Sequence, residues 1–196
     1  SSGDKVSATM GEGDMWIFET FPGGKIVWQK SFGGSMADMI FKTLELADGT
    51  YLLAGNSYSD ISGDKTESLR GFRDLWILKL DAKNEIEWQK TYGGFEREDL
   101  DDIIPTKDGG FLVSSTTYSQ ASGDKTMNSF GQSDLWFLKL DNKGELEWQK
   151  SYGGSEHDSY SRITETPGGN FFVAANSASG VSGNKSEASR GLGDYW

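Results

Sequence analysis

The stretch Asp74–Asp81, with the sequence Asp-Leu-Trp-Ile-Leu-Lys-Leu-Asp, decides the fold. It recurs sixty residues later as Asp134–Asp141, with phenylalanine in place of the isoleucine. Its first residues also stand sixty residues earlier, at Asp14–Trp16, and again at Asp194–Trp196. A fixed period along the whole chain indicates an internal repeat, and this signal outweighs every other one for the architecture.

One period contains four segments with strand character. The segment Asp99–Thr106 carries β-branched residues, and Phe111–Thr116 opens with large residues and closes with small ones. Trp136–Leu140 alternates between two faces, and Leu146–Lys150 alternates apolar with charged residues. Asp-Gly and Gly-Gly turns and a polar loop at 118–134 join the segments. Four strands connected by turns predict a small antiparallel meander without helices.

Six tryptophans occupy the predicted strands. Stacking on a sugar is the functional interpretation, and packing between neighbouring units is the structural one. Residues that are identical in every unit serve what every unit shares, so the sequence favours packing. The alternation puts Trp136, Leu138 and Leu140 on one face of their strand and Phe137 and Lys139 on the other. The six are Trp16, Trp28, Trp76, Trp88, Trp136 and Trp148.

The run Asp74–Asp81, the segment 87–94 (Glu-Trp-Gln-Lys-Thr-Tyr-Gly-Gly) and the segment 108–113 (Asp-Gly-Gly-Phe-Leu-Val) resemble the bacterial SBBP-type β-propeller repeats. The resemblance covers essentially the whole chain and concerns structural residues. It implies a propeller fold. Because such repeats are common in secreted and surface proteins, notably of Bacteroidota-like bacteria, it also implies an extracellular or cell-surface location.

We therefore predict an all-β fold, a β-propeller of sixty-residue four-stranded blades, in one repeat domain spanning 1–196. Residues 14–33 would supply the third and fourth strands of one blade, and 159–176 the first and second strands of another. About three blades result, whereas closed propellers have 4–8. Further blades would come from the rest of a longer chain or from a second subunit, and a β-trefoil is the alternative fold. The predicted units are approximately 2–61, 62–121 and 122–181, with a partial unit at 182–196.

Composition excludes several classes of function. The formal net charge is -11 and no cluster of lysine and arginine interrupts it, so we expect no nucleic-acid partner. There is no cysteine, which excludes disulfides and thiolate metal sites. No apolar run approaches the roughly 18 residues that a membrane span requires, so we expect no membrane span.

The element Ser62–Lys65 (Ser-Gly-Asp-Lys) recurs in every unit, and an aspartate follows twelve residues after its serine. Such a loop could hold Ca²⁺, which takes 6–8 oxygen ligands. However, the spacing differs from that of established calcium loops, Asn184 replaces the acid in the last unit, and a lysine always follows. A turn capped by the aspartate explains the same residues. We predict no metal site, and Ca²⁺ is the only cofactor that the loops suggest.

Catalytic constellations are not visible. An acid recurs once per unit at Asp38, Glu98 and Asp158, which would place the copies far apart, so loop hydrogen bonding is the favoured role. His157 is the only histidine, and no serine and acid stand with it in a recognisable pattern. We predict no catalytic residue.

Function should lie where the units differ. One divergent set lies on the predicted first strands, where Phe41 corresponds to Asp101 and Ser161, and Lys42 corresponds to Asp102 and Arg162. Another set is the loop cores 7–13, 67–73 and 127–133. Tyr58 and Tyr118 are the better candidates for glycan stacking. The predicted binding residues are Lys42, Asp101, Asp102, Arg162, Tyr58 and Tyr118.

The sequence predicts a non-enzymatic repeat scaffold, or adhesin-like binding module, of a secreted or cell-surface bacterial protein. It would present loops to a protein or glycan partner. One alternative is a fragment of a propeller enzyme, a hydrolase or lyase, which would need convergent charged residues at the channel mouth. The other alternative is a carbohydrate-binding, lectin-like domain, which would need exposed tryptophan or tyrosine in the variable loops.

Overall fold

The computed structural model describes residues 4–6, 9–191 and 193–196, and these ranges contain thirteen β-strands and no helix. The all-β prediction is therefore confirmed. The strands are β1 (Met15–Thr20), β2 (Ile26–Phe32), β3 (Asp38–Glu45), β4 (Tyr51–Ser57), β5 (Asp74–Leu80), β6 (Ile86–Tyr92), β7 (Glu98–Pro105), β8 (Phe111–Thr117), β9 (Asp134–Leu140), β10 (Leu146–Tyr152), β11 (Asp158–Glu165), β12 (Phe171–Ser177) and β13 (Asp194–Tyr195).

Consecutive strands pair antiparallel into four separate sheets. Sheet 1 is β1-β2, sheet 2 is β3-β4-β5-β6, sheet 3 is β7-β8-β9-β10, and sheet 4 is β11-β12-β13. The meander predicted for one period corresponds to sheet 3; β8, β9 and β10 extend the predicted segments by one or two residues, and β7 begins and ends one residue earlier than predicted. Sheet 4 contains, besides the two predicted strands, the two-residue strand β13, which pairs through Tyr195 with Asn176 and through Asp194 with Ser177.

Strand β9 shows why the sequence of a strand in the middle of a sheet is almost continuously apolar. All of its residues are buried, because sheet 3 is covered on both faces. Trp136, Leu138 and Leu140 face sheet 2, whereas Leu135 and Phe137 face sheet 4. The predicted division of this strand into two faces is confirmed.

The tryptophans follow the packing prediction only in part. Trp76 and Trp136 are fully buried, and Trp88 packs edge-on against Phe111 of the next sheet, with 6.1 Å between ring centroids. Trp148, in contrast, is 39% exposed. It borders a cavity of about 450 Å³ between sheets 3 and 4. The packing interpretation therefore describes Trp76, Trp136 and Trp88 better than Trp148, because the fourth-strand ring is covered only where a full neighbouring sheet lies against it.

The buried indoles are anchored by a glutamine that the sequence argument did not single out. Gln89 Oε1 accepts a hydrogen bond from Trp76 Nε1 at 3.0 Å and from the Thr66 backbone N at 3.2 Å. Its Nε2 donates to the Asp64 carbonyl at 2.7 Å. Gln149 holds Trp136 in the same way at 2.9 Å. Each indole is therefore tied to a loop, and the identity of this glutamine in every unit was the available signal.

The connections between sheets and the longest loops all lie at one end of the sheets, which we call the loop edge. The start of β3, the end of β4 and the start of β5 meet there through Asp38, Ser57 and Asp74. Parallel bridges at this edge join neighbouring sheets and define three junctions. They are the first junction (Gly13 with Ala37), the middle junction (Arg73 with Arg97) and the last junction (Ser133 with His157).

Candidate functional site

Each Ser-Gly-Asp-Lys loop holds the Gly-Gly connection that enters its sheet. Ser62 Oγ accepts from the Ser35 backbone N at 2.8 Å. The Asp64 backbone N donates to the Gly33 carbonyl at 2.8 Å, and Asp64 Oδ2 accepts from Gly33 N at 3.2 Å. Ser122 and Asp124 repeat these contacts in sheet 3. The aspartate therefore caps a connection. In the first loop, Ser2 and Gly3 lie outside the described residues.

The lysine of this element is buried inside its own loop. Lys65 and Lys125 are each 1% exposed and Lys185 is 4% exposed. Lys65 Nζ donates to the Glu67 carbonyl, and Lys185 Nζ donates to the Ser179 carbonyl at 2.7 Å. Burial lowers the pKa of Lys65 and of Lys125, and the nearby carboxylates of Asp74 and Asp134 oppose that shift. The interiors of these three loops therefore each contain an ammonium group bound by oxygens.

This arrangement bears on the calcium hypothesis. In the described ranges, no three histidine, cysteine or acidic side chains come together as a metal site would require. The acid oxygens of the loop accept backbone N–H groups, as in the capped-turn interpretation. The absence of a metal site stays a prediction, and Ca²⁺ binding by these loops stays the alternative hypothesis.

The once-per-unit acids are buried and lie beside a second acid. Glu98 accepts from Gly94 N at 2.8 Å and from Thr117 Oγ1 at 2.8 Å. Asp74 accepts from Arg70 N at 2.5 Å. Burial, reinforced by the neighbouring Glu98 charge, raises the pKa of Asp74 to about 6. Burial likewise raises the pKa of Asp134 to about 6, beside Asp158. These carboxylates hold loops in place, and their solvent access is minimal.

The predicted first-strand residues do come together, across the faces between β3, β7 and β11. Lys42 Nζ lies 3.0 Å from Asp102 Oδ1, and Asp102 Oδ2 accepts from Ile163 N at 3.1 Å. The Asp102 side chain is 6% exposed. It therefore links three successive first strands and presents little surface to a ligand.

Asp101 is the extra residue of a β-bulge between Leu100 and Asp102, which re-aims the side chains of β7. Its Oδ2 accepts from Ser161 N and from Ser161 Oγ, both at 3.1 Å. Burial raises the pKa of this carboxyl, and the hydrogen bonds from Ser161 oppose the shift. The exposed Arg162 donates to the Asp101 carbonyl at 2.6 Å. Of the predicted first-strand set, Arg162 and the half-buried Lys42 have the most solvent-accessible charge.

Tyr58 and Tyr118 lie at the loop edge, but arginines occupy one face of each ring. The Arg73 guanidinium lies 5.3 Å from the Tyr58 ring centroid and donates to Tyr58 Oη at 2.9 Å. The Arg97 guanidinium lies 4.1 Å from the Tyr118 centroid. These cation–π contacts leave at most one face of each ring for stacking on a sugar.

Asp99 connects the two arginines. It forms an ion pair with Arg73, and its Oδ2 lies 3.6 Å from Arg97 Nε. Phe72 packs edge-on against Tyr58, with 5.5 Å between centroids, and its backbone N donates to the Glu96 carbonyl at 2.7 Å. The backbone segments that carry Phe72 and Phe95 thus meet at the middle junction. The two phenylalanine side chains are 64% and 70% exposed.

The other two junctions have the same backbone bridges and different side chains. The last junction contains a hydrogen bond of 3.0 Å between Ser133 Oγ and His157 Nδ1, and His157 is otherwise exposed. At the five corresponding positions, the first junction has Glu12, Gly13, Ser35, Ala37 and Met39; the middle one has Phe72, Arg73, Phe95, Arg97 and Asp99; and the last has Gln132, Ser133, Ser155, His157 and Ser159.

The sequence argument included part of this group and missed part. Arg73 ended the variable loop core 67–73, but Phe95, Arg97 and Asp99 were not singled out. Their signal was available, since all three differ from their counterparts sixty residues away. In the loop core 7–13, residues 7 and 8 lie outside the described part of the chain.

The sequence matches no model of a known protein family and no curated protein. In the described residues, no helix has the length and apolar character needed to cross a bilayer.

Proposed function

We propose that this chain is a β-propeller segment that acts as a non-enzymatic binding scaffold of a secreted or cell-surface bacterial protein. Its loop edge would present divergent side chains to a protein or glycan. The resemblance to SBBP-type repeats is the basis for the cellular location, and the arrangement of the sheets is the basis for the scaffold.

The packing of the sheets favours a propeller over a trefoil. Apart from the single-residue bridges at the junctions, strand pairing stays within each sheet, while β7 lies against both β3 and β11. First strands that contact one another in succession are what a radial array of blades requires, with the first strand innermost. A trefoil instead closes a barrel by pairing strands of different units. Further blades from a longer chain or a second subunit would complete the ring.

One observation carries the scaffold proposal: the side chains shared by all units make their hydrogen bonds and packing contacts within the fold. The shared tryptophan, glutamine, serine, aspartate and lysine bind one another or the backbone, as in Trp76, Gln89 and Lys65. The exposed side chains at the loop edge are the ones that differ. Shared residues therefore maintain the architecture, and divergent ones are available for recognition.

The contacts of the first-strand acids weigh against a catalytic role for them. A general acid or base needs a carboxyl group within reach of a substrate proton. The oxygens of Asp101 and Asp102 accept hydrogen bonds from Thr116, Ser161 and Ile163 instead. Their geometry is that of inter-sheet links.

A junction variant tests the proposal. It combines Phe72→Gln, Phe95→Ser and Arg97→His, which install the side-chain types that the last junction carries at the same positions. Wild-type and variant chains are applied to arrays of peptides and of glycans. We expect saturable binding to members of one array by the wild type and its loss in the variant, at an unchanged urea midpoint. Equal binding by the variant, or hydrolysis of an array member, would contradict the proposal.

A further inference from the structure

We propose that the middle junction binds a polypeptide segment that presents one carboxylate beside an aromatic or aliphatic side chain. The inference rests on the proposed binding function and names the partner for one surface. That surface, the junction patch, consists of Tyr58, Phe72, Arg73, Phe95, Arg97 and Tyr118, with Asp99 between the arginines.

The composition of the patch is that of a protein-interface centre. Tyrosine, phenylalanine and arginine are enriched there, and arginine and tyrosine are frequent hot spots. Phe72 and Phe95 are large, exposed and adjacent in the backbone of the junction. Neither corresponding position in the first or last junction carries an aromatic ring. Because the three backbones are bridged alike, architecture does not require these two rings.

The charge of the patch selects a carboxylate. Asp99 is the acid that forms ion pairs with Arg73 and with Arg97 in the described chain, so two guanidinium groups share one carboxylate. Arg73 is mostly buried and also bonded to Tyr58, whereas the Arg97 side chain is 45% exposed. Stacking on Tyr118 fixes the Arg97 guanidinium plane, and a planar guanidinium suits a carboxylate. Arg97 is therefore the residue that receives the partner's acid.

The negative charge of the surface around the junction patch limits the number of acidic residues that the bound peptide can carry. The whole chain has a net charge of -11, so a polyacidic segment would meet repulsion outside the patch. Screening at physiological ionic strength confines attraction to roughly 8 Å. A single carboxylate next to an apolar side chain meets Arg97 and the phenylalanine rings without that repulsion.

A peptide fits better than a glycan. Arg73 and Arg97 each cover one face of a tyrosine ring, which reduces the surface that could stack on a sugar. What stays exposed is part of the Arg97 side chain and the rings of Phe72 and Phe95, which matches a peptide with one acidic and two apolar side chains. A uronate-containing glycan is the competing source of a carboxylate, and the experiment distinguishes it.

The test uses fluorescein-labelled peptides in a Gly-Ser background, measured by fluorescence polarisation at pH 8. The first peptide has one glutamate between two phenylalanines; the others replace that glutamate with glutamine, with lysine, or with four glutamates in a row. An oligo-uronate is the glycan probe. We expect the single-glutamate peptide to bind at least about tenfold more tightly than each of the other probes.

Variants locate the contact. Arg97→His, which is neutral at pH 8, should lower the affinity of the single-glutamate peptide about tenfold and leave the glutamine peptide unaffected. Arg97→Lys should recover part of the loss, because it restores charge without the planar fork. Arg190→His, at an exposed arginine of another loop on the same edge, is the matched control and should change nothing.

Each outcome is decisive. Equal affinity of the glutamate and glutamine peptides, an unaltered Arg97→His variant, or preference for the oligo-uronate overturns the partner assignment and leaves the scaffold function standing. If no peptide and no glycan binds the wild-type chain, the assignment and the proposed function both fail.

Discussion

The middle and last junctions are built alike and present different chemistry. Both have a parallel backbone bridge, at Arg73 with Arg97 and at Ser133 with His157. In both, the following repeat loop holds the Gly-Gly connection, through Asp124 at the middle junction and through Ser182 and Asn184 at the last. One junction nevertheless exposes arginine and phenylalanine, and the other serine and histidine. The backbone bridges therefore do not depend on these side chains, which makes the junction surface the part of the molecule most open to functional divergence.

Removing a shared buried lysine should give the largest effect. Lys125→Met deletes the ammonium that donates to the Met127 carbonyl and leaves the buried Asp134 without its neighbouring positive charge. We expect a loss of about 3 kcal/mol in the free energy of unfolding, because buried polar groups lose their partner. Urea denaturation measures it. The control Lys143→Met, at an exposed turn, should stay within about 0.5 kcal/mol of wild type. A similar loss in both variants would mean that the buried ammonium has no special role.

The second-largest loss of stability should come from adding a side chain where two backbone segments approach closely at a junction. A Cβ at Gly71 would lie 2.2 Å from the Gly94 carbonyl oxygen and 2.5 Å from the Phe95 carbonyl carbon, both backbone atoms. Gly71→Ala should therefore cost about 2 kcal/mol of stability through displaced backbone. Gly23→Ala has nothing within 4 Å of the new Cβ and is the matched control. An unchanged midpoint for Gly71→Ala would show that the chains crossing the middle junction are farther apart.

The buried acids should give a pH-dependent difference. The folded-state pKa of Asp74 is raised to about 6 from 3.8, so the folded state binds this proton more tightly than the unfolded state. The stabilisation is present at low pH and is lost as pH rises from about 4 to 6. The wild type loses this stabilisation between pH 5 and pH 7, whereas Asp74→Asn does not. The free energy of unfolding of Asp74→Asn minus that of the wild type should therefore rise by about 1 kcal/mol between these two pH values. Chemical denaturation of both proteins at pH 5 and at pH 7 measures this difference in the free energy of unfolding. A difference that is the same at pH 5 and pH 7 would contradict the raised pKa of Asp74.

Exchanging the divergent side chains should have the smallest effect on stability. Phe95→Ser with Arg97→His removes an exposed ring and an exposed guanidinium, and both new residue types occur at the last junction. We expect a change within about 0.5 kcal/mol in the free energy of unfolding. A loss as large as that of Lys125→Met would remove the distinction between shared architecture and divergent surface.

The strands were predictable because their signals are local and periodic. Alternation in Trp136–Leu140 and turns at Asp-Gly and Gly-Gly indicate strand and hairpin without knowledge of the tertiary structure. The division of β9 into two buried faces followed from the same alternation. Tryptophan burial was only partly predictable, because the exposure of Trp148 depends on what lies against its sheet.

The site was harder to predict because its contacts cross between units. Asp101 and Asp102 looked like available acids, and only the packing of β7 against β11 shows that Ser161 and Ile163 occupy them. Tyr58 and Tyr118 looked like open rings until Arg73 and Arg97 were placed over them. A comparison of the units position by position would have found Phe95 and Arg97, since neither has a like residue at the other junctions.

Hydrogen exchange of the tryptophan indole N–H groups, followed by NMR on ¹⁵N-tryptophan-labelled chain, tests the central claim most directly. The stacked sheets with glutamine-anchored rings predict that Trp76 and Trp136 exchange only through global unfolding, whereas the partly exposed Trp148 exchanges rapidly. Exchange of Trp76 and Trp136 as fast as that of Trp148 would contradict the account.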